Sequence, residues 1–90
     1  MEHLCKVELI GRVGSAIETI VNNERVVKFS VAVSEGVFTE TVWFDCSYRG
    51  DRTIEKEEEI HLEGRMVSHC YMDMSGEIRQ TYEVKVNKIF

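Results

Sequence analysis

Proline is absent from these 90 residues, and no apolar run approaches the ~20 residues that a membrane span requires. The first lack excludes a rigid spacer or a proline-rich tail, and the second leaves no membrane partner in view. Met1-Glu2-His3-Leu4-Cys5-Lys6 has neither the basic start nor the apolar stretch of a secretory signal, so a cytoplasmic location is expected. Cysteine is scarce and odd in number: Cys5, Cys46 and Cys70 form no Cys-x-x-Cys pair, which argues against a disulfide framework. His61 and His69 near Cys70 alternate among strand positions rather than closing on a four-ligand zinc site, so no metal is expected. Base is short relative to acid, with 11 Lys and Arg against 16 Asp and Glu and a net charge of −5. That balance opposes a nucleic-acid partner until its distribution is counted. Six acids and two bases fall between Gly50 and Glu63, so this stretch carries −4 and the rest of the chain only −1. A basic face elsewhere is permitted.

What the sequence has is alternation. The chain is short enough for a single core, so residues 1–90 form one domain, and a hydrophobic content of 43% is ordinary for a globular fold. Period-two patterning recurs while helical signals are nearly missing, which predicts an all-β protein. Cys5–Val13 places Val7, Leu9 and Val13 on one side, with Gly11 between them where a side chain is costly. Ser15–Asn23 reads as a polar-edged connection with a short continuation at Ile17, Ile20 and Val21, closed by the turn-tolerant pair Asn22-Asn23. Arg25–Ser34 sets Val27, Phe29, Val31 and Val33 against Lys28, Ser30 and Ala32. Val37–Tyr48 sets Val42, Phe44, Cys46 and Tyr48 against Trp43, Asp45 and Ser47. A short helical turn is expected around Ile54–Glu58 in the charged connection. Glu59–Val67 turns Ile60, Leu62 and Met66 inward and His61, Glu63 and Arg65 outward. Asp73-Met74-Ser75-Gly76 is a hairpin tip, and Gln80–Phe90 returns with Tyr82, Val84 and Val86 on one face. Five strands with one connection between the third and fourth predict a Greek-key barrel of OB type, with a small sandwich as the runner-up.

An enzyme of this size needs a nucleophile with its base, a carboxylate pair in a pocket or a metal, and none is legible. The acids of Glu55–Glu59 read as a solvated loop. Gly11-Arg12-Val13-Gly14 lacks the Lys-Ser/Thr ending and the following helix of a phosphate loop. No cofactor is implied. Binding of single strands asks for something else: solvent-facing rings on which bases stack, and dispersed cations along the backbone path. Trp43 is the lone large apolar residue on a polar face, Tyr71 lies near the hairpin tip, and Phe38 begins the third strand. Arg12, Lys28, Arg49, Arg65 and Lys85 are the cations expected to share one groove with Trp43 and Tyr71, with Glu55, Glu57, Glu58 and Glu59 pointing away. Each ring also has a bland reading as a rim or subunit-contact residue, and an isolated surface cation is ordinarily there for solubility. The combination is what points to a nucleic acid.

In chain order, Leu9-Ile10-Gly11-Arg12-Val13-Gly14, Phe29-Ser30-Val31-Ala32-Val33-Ser34, Trp43-Phe44, Glu63-Gly64 and Tyr71-Met72-Asp73-Met74-Ser75-Gly76 resemble the DNA-binding domain of bacterial single-stranded DNA-binding proteins. The resemblance runs from about Cys5 to about Ile89. It implies an OB-fold barrel with a long hairpin between strands 4 and 5. It also implies non-sequence-specific binding of single-stranded DNA in replication, recombination or repair, and a homodimer or homotetramer paired through the first strand. On this resemblance Trp43 is the stacking tryptophan and Tyr71 the aromatic of the long hairpin. The chain departs from the family in four places. Arg49 stands where an aromatic is common, Ile17 where a proline is, and Gly50–Leu62 is short for the helix that caps the barrel. The family's acidic tail, which recruits replication and repair proteins, has no counterpart in these residues. A second reading is therefore an OB-fold accessory module, like a primosome component, that mainly binds other proteins. Titration with oligothymidylate at low and moderate salt separates the two.

Overall fold

The computed structural model describes residues 3–34, 36 and 40–90; Phe38 lies outside them. Five strands, β1 (Val7–Val21), β2 (Glu24–Val33), β3 (Val42–Arg49), β4 (Glu59–Met72) and β5 (Ile78–Ile89), form one sheet in the order β1-β2-β3-β5-β4. The sheet closes on itself because β1 is shared. Its first half pairs with β4, from Val7↔Gly64 to Arg12↔Glu59, and its second half pairs with β2, from Arg12↔Ala32 to Val21↔Glu24. The remaining joint is the parallel pair β3–β5, made at Cys46↔Val84 and Ser47↔Lys85. The all-β OB-type barrel expected from the alternation is the observed fold.

The alternation also explains the core. Val13, Val31, Leu62 and Val84 are fully enclosed, with Leu9, Val27, Phe29, Cys46 and Ile60 around them, and the described residues bury no polar or charged group. Period two puts these residues on one side of their strands, and removing their apolar surface from water is the main force closing the barrel. Gly11 sits where β1 crosses β2 closely: a Cβ there would lie 2.4 Å from the carbonyl oxygen of Ala32.

Two segments differ from the reading of the sequence. β1 does not stop at Val13 but runs on to Val21, because a β-bulge between Val13 and Ser15 reverses the side-chain order. Ala16 then packs on the core while Ile17 faces out, which an unbroken alternation disguises as a polar connection. The hairpin after it turns at Asn22 and Asn23, both left-handed with φ of 51° and 65°, the pairing that suits the strand twist. The segment around Ile54–Glu58 forms a turn, not a helix. The Glu58 N–H donates to the Glu55 carbonyl at 3.3 Å, with Glu57 at φ 74°. This turn is fastened to the bulge, since Val13 N–H donates to Glu58 O at 3.0 Å and Glu57 N–H donates to Val13 O at 2.7 Å. Ile54 is its one buried side chain and joins the core. As the resemblance implies, β4 and β5 extend well past the barrel as a long hairpin, paired down to Met72↔Ile78. Tyr82 shares the face of Val84 and Val86 but is exposed, because it stands on the arm beyond the core.

Candidate nucleic-acid interface

The residues that period two turns outward meet across strands in a definite order. Lys28 on β2 is in register with Ser47 on β3, Ser47 with Lys85 on β5, and Lys85 with Arg65 on β4. Three cations therefore stand in one row across four strands. Arg49, two residues along β3, extends the row, and together these side chains line a groove of about 490 Å³ whose walls include Val21, Val26, Val86 and Asn87. The four cations that the sequence singled out on β2 to β5 are thus brought together.

One carboxylate enters the groove. Burial alone would raise the Glu83 carboxyl, but the His69 hydrogen bond and the Lys28 charge outweigh it and hold the group below its ordinary value. Glu83 Oε2 lies 3.5 Å from Lys28 Nζ, and Oε1 lies 3.4 Å from His69 Nε2. Arg49 pairs with Glu24 at 2.6 Å, both exposed. Arg65 and Lys85 form no ion pair among the described residues, so they carry the groove's uncommitted charge.

Trp43 lies on the same outer face of β3, 59% exposed, in register with Ala32 on β2. Ser30 and Asp45 stand between it and the basic row. Arg12, expected in the groove, is elsewhere. It occupies the outer face of β1, and its Nη2 is 2.8 Å from Glu59 Oε1, because the register Arg12↔Glu59 places the two side by side. Glu58 is likewise engaged, receiving the Arg52 guanidinium at 3.0 Å and the Glu55 N–H at 2.8 Å, and the first of these holds its carboxyl below the ordinary value. The acidic connection is bound to β1 at Val13 and to β2 at Arg25, whose Nη1 donates to the carbonyls of Gly50 and Arg52 at 2.8 and 3.1 Å.

Tyr71 is not in the groove either. It stands on the β4–β5 arm, 53% exposed, directly across from Arg79. The arm's tip is rigidified by Asp73, whose Oδ2 accepts from Arg79 Nε at 2.8 Å and whose Oδ1 accepts from the N–H groups of Ser75 and Glu77 at 3.0 and 2.9 Å. The Arg79 hydrogen bond, then the Ser75 hydroxyl and the Glu77 N–H, lower the Asp73 carboxyl to about 2. At the base of the arm a second groove of about 520 Å³ is lined by Ser15, Ser30, Asp45, His69, Thr81 and Tyr82, with Lys28 and Glu83 common to both grooves. The sequence reading missed His69, Tyr82 and Glu83 here. Alternation alone would have put Glu83 beside Lys85, whereas Tyr82 needed the point at which β5 leaves the barrel.

What this surface can do chemically is bind. The Cys46 thiol is pushed up to about 12, by burial first and then by Asp45 and Glu83, so it is no nucleophile near neutral pH. A row of cations and an open indole suit a polyanion whose units carry flat, stackable faces.

Comparison with known proteins agrees with this chemistry. The profile of the single-strand binding protein family matches residues 4–90. No curated protein sequence matches the chain. Among solved structures it is similar to a Plasmodium falciparum single-strand binding protein in complex with single-stranded DNA, at a TM-score of 0.79 and 21% identity over 97% of this chain and 90% of that one. It is also similar to the mitochondrial single-stranded DNA binding protein of S. cerevisiae, at a TM-score of 0.81 and 18% identity over 99% of this chain and 95% of that one. At these identities the likeness is one of fold.

Proposed function

The chain belongs to the single-strand binding protein family, a family of DNA binders rather than enzymes, and from that membership we propose that it binds single-stranded DNA without reading its sequence, stacking a base on Trp43 and laying phosphates along Lys28, Arg49, Arg65 and Lys85. The observation that carries this reading is the four-cation groove on the same outer surface as an open tryptophan. The chain's net charge of −5 does not oppose it, because six of its acids fall between Gly50 and Glu63, on the connection to β4 and the start of that strand, where Lys6, Arg12 and Arg52 pair with three of them. Screening confines each surface charge to about 8–10 Å at ordinary salt, so a phosphate laid along the row responds first to Lys28, Arg49, Arg65 and Lys85 beneath it. The accessory-module reading gains no support from the comparisons, and the glutamates it relied on as a docking loop are partly occupied within the chain.

Trp43 gives the direct test. Trp43→Ala should weaken binding to oligothymidylate by about 1–3 kcal/mol, the range for one base–aromatic stack, with no loss of fold. Since Trp43 is the only tryptophan, its fluorescence should also change on saturation with oligonucleotide in the parent protein. Unchanged affinity in a folded variant, together with an indifferent signal, would sink the stacking role.

We extend the proposal to the setting. A protein of this chemistry would cover single strands exposed in replication, recombination or repair, in the cytoplasm, alongside replication proteins. It would do so as a homodimer or homotetramer joined through β1. Over Val7–Gly11 that strand is paired with β4 alone, so one backbone edge is available to a second copy, and Ile10 on its outer face is 65% exposed. Sedimentation at micromolar concentration should show two or four times the 10.4 kDa chain; a species of 10.4 kDa alone would reject this assembly.

A further inference from the structure

Gly14 stands at the β-bulge of β1, where the ladder to β2 steps from Val13↔Val31 to Ser15↔Ser30. Ser30 fixes the step: its Oγ accepts from the Ser15 N–H at 3.1 Å and lies 3.0 Å from Ser15 Oγ. Trp43 starts two strands away on β3, with Ala32 between, yet its ring reaches across to this point. A methyl group built on Gly14 would stand 2.3 Å from Cζ3 and 2.7 Å from Cη2 of the indole. Carbon atoms in good contact are about 3.5–4.0 Å apart, so any side chain at residue 14 would occupy the ring's place. Backbone conformation does not demand glycine here, because Gly76 is the glycine at positive φ among the described residues. What position 14 requires is the absence of a side chain.

We propose that Gly14 is a positioning residue for DNA binding: its bare backbone is the seat on which the Trp43 indole rests, leaving the ring's other side open to a base. The inference rests on the stacking reading of Trp43. A ring that is already held loses little rotamer freedom when a base stacks on it, whereas a free one must be ordered at the moment of binding. The bulge that reverses the side-chain order of β1 therefore also prepares the binding surface of β3. Ser30 holds the bulge in place from the strand between them.

The test is a double-mutant cycle read by oligothymidylate titration, with the emission of the single tryptophan as a second reading in the proteins that keep Trp43. Gly14→Ala should lower affinity by about 2- to 13-fold, corresponding to one side chain that must be ordered on binding, and should shift the emission of the free protein. The salt dependence should not change, because no phosphate contact is touched. In the Trp43→Ala background, Gly14→Ala should have no further effect. In the Trp43→Phe background, whose single ring is smaller than the indole, Gly14→Ala should cost less than it does beside Trp43, and this pair serves should Gly14→Ala alone fail to fold. Equal losses from Gly14→Ala in all three backgrounds, or parental affinity and emission in Gly14→Ala itself, would overturn the seat. If Trp43→Ala binds as tightly as the parent, the stacking reading fails and the seat with it; if Trp43→Ala weakens binding and Gly14→Ala does not, the seat alone fails.

Discussion

Replacing Lys28, Arg49, Arg65 and Lys85 together by neutral residues is expected to lower affinity for oligothymidylate about 600-fold at about 0.1 M salt and to flatten its logarithmic salt dependence by about 2.8. The figure follows from counterion release on a single strand, where each phosphate contact contributes about 0.7 to the slope, and hence about fivefold to affinity at about a tenth of molar salt. Two of the four cations already have partners, Arg49 with Glu24 and Lys28 with Glu83. The Arg49–Glu24 pair is exposed and worth only about 0–1 kcal/mol, so a phosphate displaces that carboxylate at small cost, whereas Glu83 is largely covered and stays beside Lys28. Arg65 and Lys85 have no such competitor among the described residues, and the Arg65/Lys85 double variant alone should flatten the slope by about 1.4. The measurement is a titration at four or more salt concentrations. A quadruple variant with the parental slope would remove the groove from the phosphate path.

Leu62→Ala should destabilise the fold by about 2–5 kcal/mol, the range for emptying a well-packed leucine site. Leu62 has no exposed surface and lies in register with Leu9 on β1 and Ile89 on β5, so the cavity would border three strands. A domain of this length has only about 5–13 kcal/mol of stability in total, and at about 4–8 °C per kcal/mol the melting temperature should fall by at least about 8 °C. Ile78→Ala on the arm, where the side chain is 74% exposed, is the control and should shift stability by less than about 0.5 kcal/mol. Melts followed by circular dichroism decide it. If the two variants melt alike, the placement of the core is wrong.

The strand faces were legible because each depends on a local rule. Alternation on β2, β3 and β4 places Phe29, Cys46 and Leu62 inside and Lys28, Trp43 and Arg65 outside without knowledge of any partner strand. The turns at Asn22-Asn23 and Asp73–Gly76 were legible for the same reason, since their residues suit left-handed or tight conformations. What depends on register was not. That Arg12 faces Glu59 and not the groove follows only from how β1 is laid beside β4. The bulge at Gly14 adds one residue and so reverses the alternation on the rest of β1, which is why Ser15–Asn23 read as a connection although Ala16 packs on the core. The acidic run looked like a plain solvated loop, whereas Glu58 ties that loop together and its backbone fastens to Val13. Tyr71 and the groove were expected side by side; the length of the arm separates them.

The parallel joint between β3 and β5 is two residue pairs long, and Ser47 and Lys85, which make one of those pairs, are also the middle of the basic row. Every other joint in the ring is a longer antiparallel ladder. A local opening of the barrel costs least where the fewest ladder bonds must break, so this joint is where the ring parts first. When it parts, Lys28 goes with β2 and β3, while Lys85 and Arg65 go with β5 and β4, and the charged row is cut in half. Closure of the fold and continuity of the anion track are therefore the same event at this place. A strand laid across the row acts as a clasp: whatever it gains from touching both halves at once, it gains only from the closed ring.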